Sequence, residues 1–180
     1  MQFPDIVRRI LSGEVIHDFP VMSLIFANVV TIVLAILGNW DLTTVLFIYW
    51  SQSVIIGLFA VISMLGADTA TLADDLDKPS KELGRTQRCS TRYIWLYKIS
   101  LAGFFVLHYG LFHWGYYTFI VESGMFGPVN FSNPGIWLSC GFFFANHLYS
   151  HIRYRHEVSR GTSFIGEEFF GPYQRIIPMH

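Results

Sequence analysis

The sequence predicts an all-α integral membrane protein: a helical bundle of four transmembrane helices with both termini cytoplasmic. Three observations carry that prediction. Of 180 residues, 52% are hydrophobic and only 14% charged, against about 25% charged in a typical soluble domain. The apolar residues gather in four runs separated by short or polar connections. Finally, all twelve Lys and Arg residues fall on one side of the path that those runs would trace.

The elements follow in order. Residues 1–20 hold acidic groups and no sustained apolar core, so they are not a signal peptide and the first span is expected to stay as an anchor. Within them, residues 3–15 suit a short amphipathic helix on the inner membrane surface, with Arg8 and Arg9 near the headgroups. The first span covers residues 21–37, between Pro20 and Gly38. The second covers 42–65, and the third covers 93–121. The fourth covers 135–149 and begins after Pro134, a residue suited to a helix start. A spanning helix needs about 20 residues. The second and third runs meet this alone, and the first and fourth do so with their flanks, giving a transmembrane domain over 21–154. The polar loop 66–92 is read as a solvated linker, with a short helix around "TLADDLDK" as the alternative. The tail, 155–180, alternates aromatics with Glu167, Glu168, Pro172, Arg175, Pro178 and His180. It is expected along the inner interface, bringing Glu167, Glu168 and His180 under the bundle.

Charge sets the direction. Arg8 and Arg9 precede the first span. Lys78, Lys81, Arg85, Arg88 and Arg92 lie between the second and third, with Lys98 just inside the third. Arg153, Arg155, Arg160 and Arg175 follow the fourth. Positive residues mark the cytoplasmic side, which implies a multi-pass protein of the cell inner (plasma) membrane.

Several function classes lose support. A net charge of −1 offers no basic face for nucleic acid. Cys89 and Cys140 make neither a disulfide framework nor a paired-cysteine zinc site. Neither a phosphate-binding loop nor a dinucleotide fingerprint is present. Ser51, Ser53, Ser100 and Ser139 lack a glycine-elbow context. No carboxylate lies at the centre of a span, which counts against proton-coupled transport.

Polar side chains inside hydrocarbon face other helices or water, and ionisable ones are functional candidates. Counting along each run places Asn28, Gln52 and His108 near mid-membrane, with Asn146 and His147 nearer the cytoplasm. In "NHLYSHIRYRH", His147 and His151 are four apart and share one helical face. That spacing lets both imidazoles reach one metal ion, while the absence of H-E-x-x-H argues against a metalloprotease. In "FFVLHYGLFHWGYY", His108 and His113 are roughly 140° apart around a helix. Depth assigns His108 to the polar centre and His113 to an outer aromatic belt with Trp114, Tyr116 and Tyr117. The structural alternatives are an interhelical hydrogen bond for His108 and a helix-end cap for His151.

The leading expectation is a transition-metal site built from His147, His151 and His108, with His180 as a further candidate, holding zinc, copper or iron. A second reading has His108 and His147 as axial ligands of a haem in an electron-transfer subunit. A third is a non-enzymatic accessory subunit, its partners being the lipid bilayer, other membrane subunits or a second copy.

The elements "YWSQSVIIGLF", "FFVLHYGLFHWGYY", "NHLYSHIRY" and "GPYQRIIPMH", in that order, resemble a family of small polytopic prokaryotic membrane proteins of unknown function. The resemblance covers most of the chain beyond the first span. It implies further apolar sequence after the "GPYQRIIPMH" element, so the tail reads as the approach to another helix. It also implies that an acid often stands where this chain has Gln52. It supplies architecture rather than an activity.

Overall fold

A computed structural model describes residues 19–82, 89–154, 165–166 and 169–173, and all regular structure among them is helical. Helix α1 spans Phe19–Leu37 and ends at Gly38 and Asn39, whose φ of 45° turns the chain back. Helix α2 spans Leu42–Gly66. It starts where the Asp41 carboxylate accepts the Thr44 N–H at 2.7 Å, satisfying a backbone donor that has no intrahelical partner. Helix α3 spans Thr69–Glu82. Helix α4 spans Thr91–Tyr117 and runs on into a π-helical turn, Thr118–Glu122. Helix α5 spans Pro134–Tyr154. The four long helices coincide with the four apolar runs to within a few residues.

The linker expectation for 66–92 is corrected by α3. Its Leu72, Ala73 and Leu76 pack with Met64, Ala67 and Ile94, so apolar burial outweighs the polar composition. Asp68 starts this helix, accepting both the N–H and the hydroxyl of Thr71 at 2.8 Å. The buried Asp77 then takes the Cys89 N–H at 3.0 and 3.2 Å to its two oxygens, closing the return to α4.

Among the described residues, α2 packs on both α5 and α4, while α1 packs on α5. The long helices therefore stand in the order α1, α5, α2, α4. This is an open row with α2 inside it. α4 runs antiparallel to α2: the Lys98 ammonium donates to the Ala67 carbonyl at one end, and Tyr117 meets Trp50 at the other. α5 runs parallel to α2, with Ile136 beside Phe47 and Ile48 and His151 beside Ser63. α1 is peripheral. Its Thr31 is buried, whereas Val29, Ile32, Val33, Ile36 and Leu37 are exposed.

Two apolar clusters fill opposite ends of the row. One joins Ala60, Met64, Ala67, Leu72, Ile94, Phe105 and Tyr109 with Ile165 of the tail. The other joins Phe47, Ile48, Ile120, Val129 and Ile136. Among the described residues, two helices are long and apolar enough to cross a membrane, α2 and the continuous Thr91–Glu122 unit. Both leave most of their apolar span uncovered by protein, which points to membrane association.

Candidate functional site

Several polar side chains inside the long helices line the two seams of α2. In the α4 seam, Gly57 leaves room for the Tyr109 ring; a Cβ at Gly57 would lie 2.5 Å from Tyr109 Cε1. The Tyr109 hydroxyl donates to the Ser53 carbonyl at 2.9 Å and also meets the Ser53 hydroxyl at 2.9 Å. One turn further, His113 stacks on Tyr109 with ring centres 4.1 Å apart. Its Nδ1 donates to the Tyr109 carbonyl at 2.9 Å. A carbonyl only accepts, so in the neutral ring the lone pair resides on Nε2. Trp50 Nε1 donates across the seam to the His113 carbonyl at 2.9 Å. Every one of these bonds satisfies a group that would be costly to leave unpaired away from water.

The α5 seam is built differently. Phe59 of α2 packs against Phe144, His147 and His151, with ring centres 5.5, 6.1 and 5.6 Å away. His151 Nδ1 lies 3.2 Å from the Ser63 hydroxyl. His147 stacks on Phe143 at 4.3 Å, and its Nδ1 donates to the Phe143 carbonyl at 3.2 Å. Nearer the other end, Cys140 of α5 packs against the cluster of Phe47, Ile48 and Ile136. Gln52 is buried in α2, while Asn28 of α1 and Asn146 of α5 are half-buried and each has an interaction partner.

The four described histidines are thus divided among three places. His147 and His151 share the α5 seam, as their spacing predicts. His113 is only 6% exposed, so its assignment to the outer belt is corrected. His108 is exposed, so its assignment to the polar centre is corrected too. The reason is angular. The face of α4 turned to α2 follows Phe105, Tyr109 and His113 at four-residue spacing, and His108 lies one position, about 100°, off that face. It stacks on Phe104 with ring centres 5.5 Å apart, and its Nδ1 lies 2.8 Å from the Tyr173 hydroxyl.

α2 stands between His108 and the His147–His151 pair. His108 and His147 thus stand on two helices that each pack on α2. Among the described residues, no three His, Cys, Asp or Glu side chains come together as a metal set. His180, Glu167 and Glu168 lie outside the described residues, as do residues 1–18 of the interfacial segment.

Sequence reasoning assigned no functional role to Tyr109 or Trp50 and noted Ser53 only as lacking a glycine-elbow context. The available signal was Gly57 in the middle of an apolar run, since a strand- or helix-interior glycine often marks close approach of a neighbour. It also counted Lys98 only for its charge. Lys98 is 1% exposed, holds the carbonyl end of α2 and sits 4.9 Å from the centre of the Trp95 ring. A cation at a helix C-terminus is favoured by the helix dipole. On the polar side of this end, the Asp77 carboxylate beside Cys89 pushes its thiol up from the ordinary range, keeping it protonated.

Comparison with curated proteins and with solved structures returns no match. A family of unknown function, DUF6498, matches residues 12–180, so the chain belongs to that family.

Proposed function

We propose that this DUF6498 member is a four-span protein of the inner (plasma) membrane, with α3 and both termini cytoplasmic, and that it serves as a non-catalytic subunit of a larger membrane assembly. The observation that carries the subunit role is the division of the polar side chains between two seams. Tyr109, Trp50, Ser53 and His113 join α2 to α4, while Ser63 and His151 join α2 to α5. Groups that would form a catalytic centre are used in holding helices together. The open row leaves broad apolar flanks on α1 and α4 for lipid and neighbouring subunits. The topology is supported by the ends of the row. Arg92, Lys98, Lys78 and α3 share one end, while the connections 38–41 and 123–133 at the other end carry no Lys or Arg, as the positive-inside rule requires.

The decisive experiment is gentle extraction of the tagged chain from its native membrane, followed by sizing and mass spectrometry. A stoichiometric membrane partner, retained in a His147→Gln/His151→Gln double variant, is the expected result. A lone chain whose cellular role disappears in that double variant overturns the reading.

A second reading keeps metal at His147 and His151, and one observation favours it. His147 Nδ1 donates to a backbone carbonyl, which fixes the ring and leaves Nε2 as the basic nitrogen, the orientation usual for metal-bound histidine. Stoichiometric zinc, copper or iron in protein purified without a metal-affinity tag, lost in the same double variant, would establish it. Folded protein free of metal would exclude it.

A further inference from the structure

The tail was expected along the inner surface, yet its described part climbs α4. Ile165 is buried with Ala67, Leu72 and Ile94. Phe169 stacks on Phe104 at 6.0 Å and meets Phe105 edge-on at 5.8 Å. Tyr173 packs edge-on against Phe105 and Tyr109 at 5.7 and 5.6 Å, and its hydroxyl lies 2.8 Å from His108 Nδ1. From Ile165 to Tyr173 the contacts advance steadily along α4, in the direction in which α4 leaves its charged end.

The depth this implies follows from a ruler within α4. Its charged, aromatic-rich beginning contains Arg92, Tyr93, Trp95, Tyr97 and Lys98, the residue types that concentrate at a membrane–water boundary. His108 stands ten residues beyond Lys98, roughly 15 Å further along the helix axis. A bilayer's hydrocarbon core is about 30 Å thick, so the Tyr173–His108 contact falls near its centre. The sequence agrees. Residues 169–174, "FFGPYQ", carry no charge. Phe170 points away from α4 and is 61% exposed.

We propose that the segment carrying Phe169, Phe170 and Tyr173 is a wedge inserted into the bilayer beside α4, with lipid acyl chains against Phe170 and a Tyr173–His108 hydrogen bond as its latch at mid-depth. This rests on the reading of α4 as a membrane span. The latch is worth having there because a phenol and an imidazole each lose water on entering hydrocarbon, and each supplies the other's missing partner. The wedge also accounts for a histidine that lies off the α2-facing stripe of α4: its partner comes from the tail and not from another span.

Nitroxide labels in liposomes test this. In a Cys89→Ser/Cys140→Ser background, single cysteines at Phe170, Leu107 and Asp74 are labelled, and collisions with oxygen and with a water-soluble nickel chelate are compared. Leu107 is exposed at mid-helix and Asp74 is exposed on α3. The label at Phe170 is expected to match that at Leu107, with nickel collisions several-fold below those at Asp74. A Phe170 label as accessible to nickel as Asp74, with Leu107 shielded, overturns the wedge and leaves the span intact. Nickel access at Leu107 as well overturns the span and the wedge together. Adding Tyr173→Phe or His108→Phe should move the Phe170 label toward the aqueous value. An unchanged depth in both variants overturns the latch.

Discussion

The two seams of α2 use similar residue types for different ends. Against α4, rings stack closely and the hydrogen bonds of Trp50, Ser53, Tyr109 and His113 each measure 2.9 Å. Against α5, the two imidazoles have longer bonds, 3.2 Å each; both meet the apolar Phe59 ring, and His147 stacks more closely on Phe143 of its own helix. The first seam is an interlocked joint whose groups have little freedom to do anything else. The second holds its histidines in fixed orientations through longer bonds, which is where a ligand could enter without dismantling the fold.

Truncating the joint gives the largest expected effect. Tyr109→Ala removes a buried ring that touches Phe105, His113 and Tyr173 and leaves the Ser53 groups short of a partner. Large aromatic truncations in packed cores cost about 3–5 kcal/mol. Thermal unfolding in detergent should register that loss, while His151→Ala in the other seam should cost clearly less. Equal losses would erase the distinction between the seams.

Overfilling the same joint comes next. Gly57→Ala places a methyl 2.5 Å from Tyr109 Cε1, and a ring held at its hydroxyl and stacked on His113 cannot step aside freely. Overpacking costs about 1–3 kcal/mol. In a Tyr109→Ala background the same substitution should be nearly silent, because the atom it strikes is gone. That non-additivity is the signature of a direct contact, and additive losses would refute it.

The α5 seam predicts a smaller effect. Ser63→Ala removes the hydroxyl beside His151 Nδ1. Polar contacts between membrane helices average about 0.6 kcal/mol and reach about 1.7, so unfolding should shift little. A loss as large as that of Gly57→Ala would make this seam a structural joint of the same kind.

These comparisons also mark what the sequence could and could not convey. The helices were legible because an uncharged apolar run must satisfy its own backbone. Leu42–Gly66 and Pro134–Tyr154 were bounded by Asp41 and Pro134 with recognisable start chemistry. The neighbours of α2 were not legible. It is apolar all round, flanked by α4 on one side and α5 on the other, so no single stripe reveals which helix lies where. Counting residues gave His108 and His113 their depth but not their angle, and angle decides that His113 is buried and His108 is not. Pairing His147 with His151 succeeded because both positions lie on one helix, where spacing alone fixes the face. The contact of Tyr173 with His108 spans 65 residues, and no local pattern encodes it.

The smallest expected effect lies outside both seams, at the start of α3, and tests whether the charged end behaves as a water-exposed surface. Donation from the Thr71 N–H, and secondarily from its hydroxyl, holds the Asp68 carboxyl below its ordinary value of 3.8. A folded-state pKa lower than the unfolded one means stabilisation that is complete above 3.8 and lost as pH falls through the folded value. A cap of this kind contributes about 1 kcal/mol or less at an exposed site. Hydrogen exchange of the Leu72 amide, which bonds to the Asp68 carbonyl at 3.1 Å, reads the first turn directly. Once corrected for intrinsic exchange, it should lose protection modestly as pH is lowered from 6 to about 3. Asp68→Asn should keep the cap at neutral pH and flatten that dependence, whereas Asp68→Ala should lower protection at every pH by up to about fivefold. A flat profile in the parent chain would mean that the carboxylate is screened from solvent protons, and with it that α3 lies deeper than the cytoplasmic face of the row.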